Sequence, residues 1–497
     1  MLDIVVFPQK ERRVSASSGP TTMDSLPFDA PLKKGLLNVP GPSPASAAVL
    51  QELLRKDYEE HHCFWTDSSL LAAHDLGSPE SLLRAIFDNE VGMQQPLRKP
   101  GTTTMAEALT VSNWTARLGK AEAYPDYLAF FSSEISVLGV PGTVQRYVFA
   151  PSANGHGALM LVRVVSGLMH PFIQLGYGIE FGQDFMVAQG LAQAAVTAPG
   201  GVPAFDMPAG MPTFENSNMP SPSLLELLQE VYESPLLVPV MPYDPDALMI
   251  KRLRDWMSDP KRGAEIRRIY SKWTINLEDG DKEIESKVAE CILHATLLFA
   301  STGKQRRKPR IDFFLMHYLT GAIFLPSVLK VLDTTLAKAQ LLQSYVRVSV
   351  LILMLRGRPR INISLVMSYP VFPQPPRVAP TASTSAFGKP DEADGSNPWF
   401  AVIKNALHHP EPHVAKAART LYYAAQCYGH TSAGAFTGTF DASGAETHTG
   451  SAGLDGTVFI RAAGVMSKAL GWVIAGEEGL DWDRSGLGWE EAWASSD

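Results

Sequence analysis

The sequence predicts a predominantly α-helical protein, and three observations carry that reading. Apolar residues recur at three- and four-residue spacing over residues 224–232, 245–258, 263–273, 284–301 and 327–354. Strand-like alternation is nowhere sustained. Residues 310–325, RIDFFLMHYLTGAIFL, are apolar almost all round, the pattern of a helix buried on every side.

Taken in order, residues 1–47 read as an irregular N-terminal extension, since 15–47 is rich in Pro, Ser and Gly. The helix 48–58 opens a single catalytic body, expected to cover residues 48–497. Residues 197–223 hold six prolines and form a long loop. Residues 369–397 begin as YPVFPQPP and end as a polar linker, and 429–456 is a third loop, rich in Gly, Ala, Ser and Thr. A compact domain keeps such loops where they cover a site or lie on the surface. Between the last two, the helix 413–428 has Pro412 at its start and Gly429 at its end. The best strand candidate is 458–462, VFIRA. No internal repeat is present.

Composition narrows the function. At 497 residues, with 45% hydrophobic and 19% charged residues, the chain has material for a large core and is not a disordered polymer. A net charge of -8 argues against a nucleic-acid partner. Cys63, Cys291 and Cys427 are far apart and lack C-x-x-C spacing, which suggests a reducing compartment and no zinc ribbon. The N-terminus MLDIVVFPQKERR lacks a secretory pattern. The apolar stretch 346–355 is half the length that spans a bilayer and contains Arg347. The expectation is a cytoplasmic protein with no membrane partner; oligomeric state is open.

No G-x-G-x-x-G follows a strand, and P-loop, G-x-S-x-G and H-E-x-x-H patterns are missing. That argues against a flavin enzyme. Oxygen chemistry without flavin or haem usually needs a metal, and the 12 histidines can supply ligands. His317 stands in the middle of the apolar run. A charged ring there carries a large desolvation cost, so the imidazole is neutral: a core histidine bonded to a carbonyl, a metal ligand or a proton carrier. Thr320, three residues on, shares its helical face. His170 opens an apolar helix, His294 sits in another, and His408, His409 and His413 flank a helix start. Lys416 lies in HVAKAARTLYYAAQCYG, rich in Ala, Leu and Tyr on both faces. It either snorkels to solvent or is a buried, neutral amine, and a neutral amine adds carbon dioxide to give an anionic carbamate. The basic run 304–310, KQRRKPR, is a solvated loop, a nuclear signal or a dock for the phosphate of NADPH. The C-terminal tryptophans at 472, 482, 489 and 493 either pack the core or stack on a planar substrate.

Several segments, in order, resemble the questin oxidase-like family of fungal polyketide-tailoring enzymes. These are MHPFIQLGYGIEF at 169–181, DFFLMH followed by Leu-Thr at 312–320, Gly357-Arg358-Pro359, EPHVAK at 411–416, DGTVFIRAAG at 455–464 and DWDRSGLGWEEAW at 481–493. The resemblance as a whole covers roughly residues 50–495. The resemblance implies a Baeyer–Villiger-type oxygenase, NADPH- or iron-dependent, that opens or inserts oxygen into an aromatic polyketide such as an anthraquinone in mycotoxin-type biosynthesis. It implies non-haem Fe(II) held by His62, His170, His317 and a carboxylated Lys416, with NADPH as co-substrate; helical spacing makes Thr320, one turn beyond His317, the candidate catalytic hydroxyl that donates at that site. The chain departs from the family pattern at residues 61–77, where the histidine-rich stretch is shortened, and at Gln174, where several relatives have histidine. That departure keeps open a non-catalytic, polyketide-binding protein that assists a partner oxidase. A metal-dependent hydrolase with a carbamylated lysine lacks its usual H-x-H motif.

Overall fold

A helix without a polar face is stable only inside a shell of other helices, and this one has such a shell. The computed structural model describes residues 30–39, 43–62, 66–92, 94, 96–97, 108–205, 221–276, 279–376 and 397–494. Within them the apolar run forms the helix Phe313–Ala322, buried at every residue. It packs against Gly280–Ala300, Thr335–Leu355, His170–Phe181 and His413–Tyr428. Each fully buried Leu, Met or Phe side chain contributes about 1.5–3 kcal/mol. The described residues hold no β-strand, only three isolated bridges.

Small residues let these helices approach closely. His170–Phe181 pairs with Asp184–Val196 at backbone contact: a Cβ on Gly178 would sit 2.6 Å from the Val187 nitrogen. A Cβ on Gly176 would lie 2.3 Å from Phe324. The Gly-Tyr-Gly of the sequence is therefore a packing device that seats the His170 helix.

Three buried ion pairs, made by two arginines, fix the helices that matter. Asp312 caps Phe313–Ala322, its Oδ1 accepting from the Phe314 and Leu315 amides at 2.9 and 3.2 Å, while its Oδ2 accepts from Arg356 Nε at 2.7 Å. Arg419, on His413–Tyr428, donates to Asp75 Oδ2 at 2.8 Å and to Glu180 on His170–Phe181. Buried charges of this kind persist only when paired.

Three expectations about elements are corrected. The helix read over 327–354 is two, Leu325–Lys330 and Thr335–Leu355, because the Thr334 hydroxyl accepts from the Ala337 amide at 3.1 Å and starts a new helix. The strand candidate 458–462 is the first half of the helix Val458–Leu470, buried along Val458, Phe459, Ala462 and Met466; a five-residue apolar run cannot separate the two periods. The first body helix begins at Pro44, capped by Ser43, inside the expected extension. The expected irregular segments at 1–29, 206–220 and 377–396 lie outside the described residues. Ala121–Phe149 and Phe313–Lys330 are long and apolar enough to cross a membrane by length, and 78% of the second is buried inside the protein.

Candidate metal centre

Three imidazoles from three helices meet at one point. His317 stands mid-helix, while His170 and His413 are each the first residue of their helix. Their ligand nitrogens lie within 4.8 Å of one another. Ring centroids are 4.9 Å apart for His170 and His317, and 5.1 Å for His317 and His413. Side-chain adjustments of under about an ångström bring such a set onto an ion ligated at about 2.1 Å.

Hydrogen bonding fixes which nitrogen faces inward. His317 Nδ1 lies 2.9 Å from the Phe313 carbonyl, which can only accept, so Nδ1 carries the proton. The lone pair is then on Nε2, which is buried and has no partner. His413 Nδ1 donates to Glu411 at 2.7 Å. Glu411 also accepts from the His413 amide at 3.0 Å and from the Trp482 indole. Burial pushes this carboxyl up, but the His413 ring and these donors hold it below the usual range, so it stays charged. A carboxylate behind a histidine orients the ring and raises its basicity toward a metal. His170 Nε2 is likewise buried without a partner.

Protonation is disfavoured at all three rings. Burial, then the His413 and Lys416 charges, lowers His170 to about 3. Burial, then His170 and His413, drives His317 well below its ordinary value, and burial outweighs Glu411 at His413. Two helix N-termini at the site add partial positive charge against a proton. Neutral rings with inward lone pairs are the form that binds metal.

The entry to His170 is strained. Gly167, Leu168 and Met169 all have φ between 56° and 64°. Two consecutive non-glycine residues in the left-handed region cost of order 1–3 kcal/mol each and cluster at functional sites. Here they turn the chain so that His170 faces His317, and Pro171 then starts the helix.

The other expected residues divide. Lys416, 4% exposed, lines the same cavity with Thr320, Gln174, Ser68 and Ile173. The Thr320 hydroxyl donates to the His317 carbonyl at 3.2 Å, not to the Met316 carbonyl expected of a helical threonine. Gln174 donates to Asp67 at 3.3 Å and to Gln189 at 3.0 Å, so its amide is tied to neighbouring side chains at the cavity wall. His62 is outside the cavity lining and stacks on Tyr124 with centroids 3.8 Å apart. His413 takes its place in the trio. Sequence reasoning passed over His413 as a helix-start residue, although its spacing of three from Lys416 puts both on one helical face. His294 bonds the Tyr318 hydroxyl at 3.2 Å, and His409 bonds the Leu470 carbonyl at 2.9 Å; neither joins the cluster.

The cavity measures about 10 Å³. That is room for one ion or one water. Three neutral imidazoles, two of them with orphaned inward nitrogens, fit a transition-metal ion there, and His170, His317 and His413 are the residues that would hold it.

Fold and site together define an all-helical protein with a trihistidine pocket in its core. Residues 65–421 match the questin oxidase-like family model, so the chain belongs to that family. It is 29% identical over 290 residues to the questin oxidase of Aspergillus fumigatus, covering 54% of this chain and 61% of that protein. It is 24% identical over 404 residues to the questin oxidase of Aspergillus terreus, covering 79% and 84%. A Baeyer–Villiger oxidase, ptaJ of Pestalotiopsis fici, is 27% identical over 56% of this chain and 62% of its own length. The chain thus spans about three fifths of the first and third of these relatives.

Proposed function

We propose that this protein is an iron-dependent oxygenase that opens, or inserts oxygen into, a ring of an aromatic polyketide of the anthraquinone class, with NADPH supplying electrons. The observation that carries the reading is the trio of neutral imidazoles with lone pairs converging on an ion-sized cavity, in a family whose named members are questin oxidases and Baeyer–Villiger oxidases. A bound iron would supply dioxygen activation, which no side chain of the chain can perform.

The chain's own residues do the rest. His170, His317 and His413 present nitrogen ligands, and Glu411 holds the His413 ring in the ligating tautomer. Lys416 supplies charge control. As an ammonium it repels a cation. As a neutral amine it adds carbon dioxide, forming an N–C bond and releasing a proton, and the carbamate offers anionic oxygens to the cavity. Thr320 fixes the carbonyl of the His317 turn. The apolar walls of Phe313 and Ile173 exclude water. A polycyclic ring cannot enter about 10 Å³, so it sits outside the cavity until the wall parts.

Gln174 favours a second reading, a polyketide-binding helical protein that assists a partner oxidase, because its amide is tied to Asp67 and Gln189 and offers the cavity no imidazole. The test is incubation of iron-loaded protein with NADPH, a hydroxyanthraquinone panel and ¹⁸O₂. The oxygenase reading expects a ring-opened or lactone product carrying ¹⁸O. Tight binding of the same compounds with no product from any of them contradicts it and leaves the binding reading.

A further inference from the structure

Two buried acids that the metal centre leaves unused stand behind its wall. Asp67, in the first turn of Thr66–Asp75, is 2% exposed and accepts from Gln174 Nε2 at 3.3 Å. Gln174 and Ser68, the residue after Asp67, both line the cavity. Asp67 is also hydrogen-bonded to Asp57, equally buried, in the last turn of Pro44–Glu60. Two carboxylates have no donor between them, so this bond needs a proton on one. Asp57 Oδ1 lies 3.2 Å from Nδ1 of His61, the residue that ends the helix. Both atoms are buried and short of hydrogen-bond geometry, which a small turn of the ring supplies. The His61 side chain is 12% exposed and so reaches solvent.

The surrounding charges favour one proton held between the two acids. Burial, then the Asp67 charge, raises Asp57, and Glu90 and Glu60 add to the effect. Burial also raises Asp67, against the hydrogen bonds from Asp57, Gln174 and Gln189 and the charge of Lys416. Like charges in contact cannot both persist in a dry interior, so the pair titrates as one unit. Burial lowers His61 more than Glu60 raises it, with Lys56 adding to the lowering. A neutral imidazole can take a proton on one nitrogen while the other gives one up. A shared cation would be the alternative to a shared proton. Among the described residues, however, the set of three ligands that converges on one point is His170, His317 and His413.

We propose that Asp57 and Asp67 share a single proton and, with His61, form a proton line from solvent to the wall of the metal cavity. A proton enters the His61 ring from water while the other ring nitrogen gives one to Asp57. Asp57 passes its own across the shared bond to Asp67, and Asp67 releases one toward the wall that Gln174 and Ser68 form. Each transfer makes one O–H or N–H bond and breaks one, so the line ends as it began. Insertion of one oxygen atom consumes substrate, O₂, NADPH and a proton, and yields product, NADP⁺ and water. The use of the line to supply that proton rests on the oxygenase reading; the line itself does not.

Infrared spectroscopy of the full, metal-free chain reads the shared proton without turnover, as a protonated-carboxyl band that shifts when water is replaced by D₂O. One such band is expected at neutral pH in the wild type and lost in Asp57→Asn, which keeps the shape of the neutral acid and the wild-type melting temperature. Its shift in D₂O is expected to slow about 100-fold in His61→Ala and to recover when imidazole is added. A histidine with a merely structural role would give no such rescue. In the iron-loaded protein, Asp67→Asn is expected to lower turnover about 100-fold at unchanged metal content. The line is overturned if Asp57→Asn loses no band, or if His61→Ala exchanges as fast as the wild type. Turnover that Asp67→Asn leaves intact overturns the supply role. A wild type with the band and its exchange but no turnover overturns the oxygenase reading and leaves the line standing.

Discussion

Lys416 and Arg419 lie one turn apart on the same buried helix, and their surroundings are opposite in kind. Arg419 is held by two carboxylates: its Nε donates to Asp75 and its Nη2 to Glu180, which also accepts the Leu36 amide at 2.8 Å, while Arg419 Nη1 and Glu180 Oε2 are buried without a hydrogen-bond partner among the described residues. Burial alone would lower its charge, but Glu180 and Asp75 more than restore it. Lys416 faces three neutral imidazoles, two of which carry lone pairs with no protein partner. The first cluster balances its charges among its own residues, as a structural joint does. The second leaves electron pairs pointing into ion-sized space. Burial does not separate the two, since both residues are under 5% exposed; what differs is that Arg419 is held by two carboxylates while Lys416 shares an ion-sized cavity with three imidazoles.

The comparison breaks most visibly at Arg419. Arg419→Met leaves two carboxylates buried with no cation, and a loss of about 3–5 kcal/mol in unfolding free energy is expected by chemical denaturation. Lys416→Ala is expected to leave the denaturation midpoint near wild type while lowering turnover and metal affinity about 100-fold or more. Lys416→Glu keeps an anionic oxygen and should recover part of that loss; equal activity of wild type and the alanine variant would make the lysine a joint like Arg419. Glu411→Gln removes the carboxylate behind His413, and a drop of about 10–100-fold in metal affinity is expected from competition with a chelator.

Acid sensitivity sharpens the contrast further. Burial, then His448, holds His294 at about 3 against an ordinary 6.5. The unfolded chain takes up that proton first as pH falls. The stabilising contribution is therefore whole above about pH 6.5 and is lost progressively toward pH 3. His294→Gln should flatten the metal-free protein's stability over that window relative to wild type, and parallel curves would contradict the assignment. Thr320→Val is the smallest change: losing a hydrogen bond within the turn costs about 1 kcal/mol. Turnover lost beyond that, at equal melting temperature, places its hydroxyl in the chemistry.

The helical class was legible because apolar spacing repeats over most of the chain, and the buried run around His317 showed where the core must be. The His413 helix was readable from Pro412 to Gly429. The trio itself was not legible as a set. His413 looked like a helix-start residue because its role depends on a helix a hundred positions away. The turn that aims His170 uses left-handed Leu168 and Met169, which nothing in their identity announces. His62 was given a ligand role by the family resemblance, but in space its ring meets Tyr124. Local pattern reports which face is buried; long-range packing decides which buried groups share a point.

Metal analysis of the purified chain tests the central claim most directly. About one transition-metal ion per chain is predicted for the wild type. The ion is lost alike in His170→Ala, His317→Ala and His413→Ala and retained in His62→Ala. A wild-type protein that stays metal-free after iron loading, or an ion that survives all three substitutions, would contradict the account.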